Sequence, residues 1–516
     1  MNSKPISYDE IPYESKPLEQ SRPAHLYAIG CLFGMQPPDF RRARVLEIGC
    51  ASGVNLLPMA ALHPQASFLG IDLSRKQIET GQHFLTELGL TNVTLRQVSI
   101  ADLAEEPFDY IICHGVLSWV DATVQQAILH KTSRLLTENG IAYISYNTLP
   151  GWNMVRSLRE MMQFHTQNMA DPTLKAAQAH MLLTFLRDNA AFDIQSPYRQ
   201  LLSGEIDLLA GKSARYLLHD HLEYHNIPLY FHQFNEMANR VGLQYLGEAQ
   251  LPAMFMSHFT PEAQHLLGAT DNIGLREQYM DFLTNRRFRM TLLCRDHIAL
   301  QHHLTPHALA GFYLQSLMQP APAHPDDAPG LSAFSTPQGA RILTAHPVTI
   351  AVLTEMADRK RYPFRLPELI TRVCQRWPEW TSQEVTTNLQ EWSLSLLSNG
   401  GLVLNADAPP YVASVSAQPE AWFFARAQAR HQDWVTSMRH EPTPLTPFAA
   451  KLLPLLDGTR TRADLLALLP LQINEEEFPV EHPAQPATDP STHQARLHTL
   501  LAQQLDDFAQ NALLVR

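Results

Sequence analysis

Cysteine is scarce in this chain and badly placed for cross-linking. The five thiols, Cys31, Cys50, Cys113, Cys294 and Cys374, are odd in number and show no Cys-x-x-Cys spacing. That argues against a disulfide scaffold and a structural zinc site, and it fits a reducing compartment. Charge is also thin: 17% of residues are charged, with a formal net charge of -12. That acidic excess weighs against the broad basic face that nucleic acid demands. No apolar run reaches bilayer-spanning length, so no stable membrane insertion is expected. Met1-Asn-Ser-Lys-Pro5 opens without the apolar centre of a signal peptide, and the cytoplasm is the expected compartment. No internal repeat stands out. What is plentiful is apolar surface: 45% of the 516 residues are hydrophobic, enough for about two to four domains.

The most informative stretch is Val45-Leu-Glu-Ile-Gly-Cys-Ala-Ser-Gly-Val-Asn55. It reads as an apolar strand, a turn from Gly49 to Gly53 and the start of a helix. Gly49 lets the chain turn, Gly53 allows a ligand to approach the backbone, and the helix start offers unpaired N–H groups. A second strand, Ser67–Ile71, ends at Asp72, an acidic residue placed to accept hydrogen bonds from a ribose diol. A dinucleotide site would carry Gly-x-Gly-x-x-Gly to hug a pyrophosphate. Here Cys50-Ala-Ser52 replaces that pattern and Glu47 sits in the strand. A carboxylate there favours a cationic, amino-bearing ligand over a phosphate, which points to S-adenosylmethionine (SAM).

The rest of the first half alternates in the same manner. Strands are expected at Arg44–Ile48, Ser67–Ile71, Val93–Val98, Tyr110–Cys113 and Ile141–Tyr146, with helices at Asn55–Leu62, Ser74–Leu88 and Val124–Leu136. Ser74 is a candidate cap. Such alternation calls for a parallel sheet with helices on both faces. Helical spacing at Trp152–Met169 and Thr173–Ala190 marks an insertion, and Leu243–Ala249 and Arg289–Cys294 read as two further strands.

Three longer phrases sharpen the picture: Gly70-Ile-Asp-Leu-Ser74, Phe108-Asp-Tyr-Ile-Ile-Cys-His-Gly-Val-Leu-Ser-Trp119 and Ile144-Ser-Tyr-Asn-Thr-Leu-Pro-Gly-Trp152. With Glu47-Ile-Gly49-x-x-x-Gly53 they resemble the class I SAM-dependent methyltransferases. More narrowly, they resemble the bacterial protein-lysine methyltransferase family with a methyltransferase regulatory domain, best known from rickettsial enzymes acting on outer-membrane proteins. The resemblance implies an α/β fold: a Rossmann-like sheet with a helical insertion, followed by small, mainly helical, winged-helix-like C-terminal domains. The expected boundaries are an N-terminal arm at 1–40 and a core at 41–300, containing the insertion at 151–230 and a regulatory-type segment at 215–300. A linker at 301–330, a winged-helix-like domain at 331–415 and a small helical domain at 416–516 follow. The C-terminal units would position substrate or mediate homodimerisation.

Cofactor contacts are then expected from Glu47, Gly49, Cys50, Gly53, Asp72 and Leu73, and from His114 and Trp119 beyond the fourth strand. Either Ser99 or Asp102 would meet the adenine amine, with Ile100 packed on the ring. Trp119 would serve packing or attract a substrate ammonium. The catalytic candidates are His114, Tyr146 and Asn147, at the carboxyl ends of the fourth and fifth strands. His114 is read either as a weak base or as a hydrogen-bonded support. His219, His221 and Glu223 resemble metal ligands in type, yet histidines two apart on a helix point away from each other. They are read as solvated or locally bonded, and no metal is expected. After the fourth strand, Cys113-His-Gly-Val116 stands where adenine-N6 and glutamine methyltransferases carry Asp/Asn-Pro-Pro-Tyr/Phe. The leading expectation, which the family resemblance implies, is methyl transfer to a protein lysine. A small-molecule or lipid methyltransferase and a non-catalytic SAM-binding regulator are the alternatives.

Overall fold

The computed structural model describes residues 15–189, 196–210, 212, 214–223, 225–469 and 490–516. Residues 1–14 of the expected arm, residues 190–195, 211, 213 and 224 of the expected insertion and residues 470–489 of the last unit lie outside the described residues.

Seven strands form the central sheet: β1 (Arg44–Ile48), β2 (Ser67–Asp72), β3 (Val93–Gln97), β4 (Phe108–Cys113), β5 (Leu136–Asn147), β6 (Leu243–Glu248) and β7 (Phe288–Arg295). Their order is β3-β2-β1-β4-β5-β7-β6. The first five run parallel, and β7 is antiparallel to both β5 and β6. Parallel strands are covered on both faces, which is why β1, β2 and β4 read as nearly unbroken apolar runs. Side-chain alternation then assigns the faces. Val45, Tyr110 and Tyr143 join one core with α1 (Pro23–Leu32) and α2 (Leu56–Leu62), and α3 (Arg75–Leu88) adds Ile78 to it. Leu46, Ile111, Ile144 and Tyr146 join the other core with α4 (Ala122–Leu135) and Phe234 of the helix Phe231–Asn239. Ser74 caps α3, its side chain accepting from the Gln77 N–H. The strand order reverses between β1 and β4, and the crevice at their carboxyl ends is where open α/β sheets bind ligands.

Between β6 and β7 the chain makes helices Pro261–Gly268 and Ile273–Thr284. Arg289 of β7, fully buried, holds the second of these in place. Its guanidinium donates to Asp281 (2.9 Å), Glu248 of β6 (2.6 Å) and Glu277 (3.1 Å), and one face lies 4.1 Å from the Phe231 ring centroid. Burial raises the Glu277 and Asp281 carboxyls, and Arg289 opposes it.

The insertion's helices Trp152–Thr166, Pro172–Asn189 and Pro197–Ala210 bury a core of their own around Leu158, Met162, Leu183 and Ile206. Helices Pro347–Asp358, Leu366–Arg376 and Ser382–Ser398 precede the strand Leu402–Asn405, which pairs with Tyr313–Ser316. The stretch expected as a linker thus delivers a strand, while Gln319–Pro329 just beyond it is largely exposed. The last unit holds the hairpin Trp434–Thr436 with Pro442–Pro444 and the helix Pro490–Gln510. Thr461 and Asp464 exchange the two bonds of a capping box there. These C-terminal units share one continuous core with the α1–α3 face of the sheet. Phe84 of α3 meets Phe424 edge-on, and Glu87 bonds His431 at 2.8 Å. Among the described residues no helix is long and apolar enough to cross a membrane.

Replacing Arg289 with alanine would leave three buried carboxylates without their shared cation. We expect a loss of about 3–5 kcal/mol in urea-unfolding stability, as for one-sided removal of a buried ion pair.

Candidate active site

The crevice is built by two short turns braced against each other. Gly49 (φ 73°), Ala51 (φ 48°) and Gly53 (φ 77°) curl the first turn through left-handed backbone. The Gly49 and Cys50 N–H groups donate to the Ile71 carbonyl at 2.8 and 3.0 Å. One carboxylate oxygen of Asp72 accepts from the Ala51 N–H (2.9 Å) and the other from the Ser74 N–H (2.8 Å). A Cβ at Gly49 would collide with Val116, so the turn packs tightly beneath the loop after β4.

Glu47 is 4% exposed and points toward α2. Asn55 donates to its Oε1 at 2.7 Å, and its Oε2 has no partner among the described residues. Burial pushes this carboxyl up to about 8; the Asn55 bond opposes the shift and Asp72 adds to it. A buried carboxylate with one bare oxygen is a socket for a cation. Beside Asp72, Leu73 stands 70% exposed, an apolar surface beside a candidate ribose acceptor. The residues present therefore fit the charged methionine end and the adenosine end of SAM.

The turn after β3 is less generous. The Ser99 hydroxyl accepts from the Ala101 N–H as a cap, Asp102 is exposed, and Ile100 is buried with Leu69 and Ile71 in the core. Cys50 is 3% exposed with its thiol pushed well up by burial. Its side chain packs, and only its backbone faces the crevice turn.

Across the crevice, His114 is half-buried, its Nδ1 2.9 Å from the Tyr143 hydroxyl and its ring 5.8 Å from Phe288. Burial pushes its imidazole down to about 4, so it is neutral at pH 7 and a feeble proton acceptor. Asn147 is held through its backbone, its N–H donating to the Ser118 hydroxyl (2.8 Å) and its carbonyl accepting from Leu229 (3.1 Å). The Asn147 side-chain nitrogen has no partner among the described residues. Trp119 meets Trp152 edge-on at 6.4 Å, and Arg159 lies 5.9 Å from the Trp119 ring.

Two expectations need correction. Tyr146 does not reach the mouth: it is 1% exposed, stacked on Phe234 at 4.2 Å. Neighbouring strand residues face opposite sides, so Tyr146 and Asn147 cannot share one role. For His219, His221 and Glu223 the solvated alternative falls and the locally bonded one stands: they are 3–4% exposed. Leu217–His221 forms a π turn, and Arg159 donates to the Asp220 and Glu223 carbonyls at 3.0 and 2.7 Å. Asn55, Phe288, Tyr143 and Arg159 were missed. Of these, Asn55 alone gave a local signal, as a polar residue opening the helix after the glycine turn.

Comparison with known proteins follows this geometry. A family described as "Methyltransferase domain" matches residues 39–199, "Predicted methyltransferase regulatory domain" matches 213–295, and "PKMT, C-terminal winged helix domain" matches 417–513. The last falls on the unit read from sequence as a small helical domain. The solved structure of PKMT2 from Rickettsia typhi in complex with AdoHcy superposes with a TM-score of 0.90 at 34% identity, covering 98% of this chain and 100% of that one. An uncharacterized protein of Rickettsia prowazekii is 32% identical over 520 residues, 98% of this chain and 93% of its own length. A second from that organism is 45% identical over 237 residues, 46% of this chain and 94% of its own.

Two measurements probe the crevice. Asp72→Ala should weaken SAM binding by about 10- to 100-fold, the worth of one or two charge-assisted hydrogen bonds; unchanged affinity by calorimetry would remove Asp72 from the site. Below about pH 8 the free protein keeps the Glu47 proton, and a cation pairs with the carboxylate only once that proton leaves. SAM affinity should therefore climb from about pH 6 toward 8, by up to about tenfold per unit, relative to a Glu47→Gln variant.

Proposed function

The chain belongs to the bacterial SAM-dependent protein-lysine methyltransferase family, and on that premise we propose that it transfers a methyl group from SAM to lysine side chains of a protein. The observation that carries the cofactor half is Glu47: a buried carboxylate with a bare oxygen, next to a glycine turn braced by Asp72. Gly49, Gly53 and the exposed Leu73 complete the cradle, and the exposed Asp102 is the acceptor left for the adenine amine, since Ser99 caps its own turn and Ile100 is buried in the core. When bound, SAM supplies a methyl group made electrophilic by its sulfonium. The protein's own task is to present an amine with a free lone pair and to keep water out.

For a lysine that means losing a proton, and the mouth is suited to making the ammonium costly. Phe288, Trp119 and Trp152 give it apolar, π-rich walls, and a desolvated amine loses its proton more easily. With an imidazole near 4, His114 orients the amine rather than taking its proton, and Asn147 offers the second polar contact. Tyr143 and Ser118 hold those two in place. A polypeptide acceptor is supported by the exposed apolar residues on the neighbouring helix, Tyr279 (44%), Phe282 (47%) and Leu283 (55%), a larger apolar surface than a small acceptor needs. The same reading leaves nucleic acid aside, given the net charge of -12. It assigns the chain to the cytoplasm, where five free thiols are at home, and gives the C-terminal units to substrate positioning or homodimer formation.

Methyl transfer from radiolabelled SAM into cell extract tests this reading. We expect label in discrete protein bands, with lysine named by mass spectrometry, and loss of label in Gly49→Leu. Label confined to small molecules would overturn the protein acceptor and leave the methyltransferase class standing.

A further inference from the structure

One side chain gathers both ends of the chain at the cofactor crevice. The Asn55 Oδ1 accepts from the Leu18 N–H of the arm at 2.9 Å and lies 2.8 Å from Nε2 of His440. Its Nδ2 donates to Glu47 at 2.7 Å and to the Ser21 hydroxyl at 3.0 Å. A backbone N–H can only donate, so the Leu18 bond fixes which end of the Asn55 amide is oxygen. His440 must then donate through Nε2–H. Its Nδ1, a bare acceptor, has no partner among the described residues.

His440 lies 385 residues beyond Asn55, at the tip of the hairpin in the last unit. It is fully buried and held in left-handed backbone at φ 66°, a conformation a histidine keeps only where its surroundings impose it. They do so from several sides. The His440 N–H donates to Ser437 O at 2.7 Å, and Met438 N–H to Ala512 O at 3.0 Å. Arg439 reaches Gln510 O at 2.9 Å, and Glu441 is paired by Arg361 and Arg439. The tip is thus locked to the end of the last helix and pressed against the turn that carries the cofactor carboxylate.

We propose that the C-terminal hairpin is part of the cofactor site: His440 is a positioning residue that holds Asn55, and through it Glu47, in the orientation that receives the cationic end of SAM. The inference rests on the cofactor reading above. Without the His440 N–H, the Asn55 amide keeps Leu18 and Ser21 but loses the contact that ties it to the hairpin. Its bond to Glu47 is then less firmly aimed, in a pocket that already disfavours the carboxylate's charge. Seating of the C-terminal unit and affinity for SAM become one property rather than two.

The test is calorimetric titration of the full chain with SAM, beside thermal unfolding of each variant. His440→Ala should weaken binding by about tenfold, and His440→Gln, whose amide nitrogen reaches as far as Nε2, should restore most of it. In a Glu47→Gln background, His440→Ala should have little further effect, because the two act on one contact. His440→Asn suits the left-handed backbone but stops short of Asn55, and it carries the same test should the alanine variant fail to fold. SAM affinity within twofold of wild type for His440→Ala, or an equal loss with and without Glu47, overturns the proposal. Wild-type protein that binds no SAM overturns the cofactor reading and this inference with it.

Discussion

The crevice depends on one carboxylate bridging two backbone turns. Asp72 closes β2 and uses both oxygens on amides, one from the glycine turn after β1 and one from the start of α3. A parallel sheet delivers its strand ends side by side but leaves the loops beyond them free to splay. Asp72 removes that freedom where the strand order reverses, and the Ile71 carbonyl adds two further bonds to the same turn. Left-handed Ala51 is tolerated because these partners over-determine it. A site assembled from backbone in this way is stiff before any ligand arrives, and little ordering cost remains for binding to meet.

Two buried acidic groupings in this chain show how burial can serve opposite ends. Glu248, Glu277 and Asp281 each pair with Arg289, and Arg286 adds a second cation beside Glu277 and Asp281. Among the described residues Glu47 is answered by one neutral amide and retains a bare oxygen. The first arrangement fixes a helix to a sheet edge. The second stores an unmet electrostatic demand, and unmet demand beside a glycine turn is what marks a binding site.

Much of this was legible in the residues because it is local. Arg44–Ile48 forms the strand its pattern predicts, and the Ser74 cap follows from a side chain that reaches only its own first turn. Glu47, Gly49 and Asp72 could be placed because one strand–turn–helix unit and its neighbour carry them. Tyr146 was misassigned by reading a strand end as a point, when its pleat sends alternate residues to opposite faces. His219, His221 and Glu223 look polar and exposed by type, yet packing within the insertion buries them. No local pattern announces the Arg289 cluster or the approach of His440 to Asn55, since each joins residues that only the finished fold brings together.

The path between β6 and β7 carries a separate implication. Glu248 and Thr291 are register partners, so the helical segment leaves the sheet and rejoins it on adjacent rungs. Such a segment can change length in its connections while the sheet keeps its alignment, provided Glu277 and Asp281 stay on Arg289. Lengthening would add only about 0.6 kcal/mol of closure entropy for each doubling. The crevice held by the strand ends and the helices hung from one sheet edge can therefore diversify at different rates.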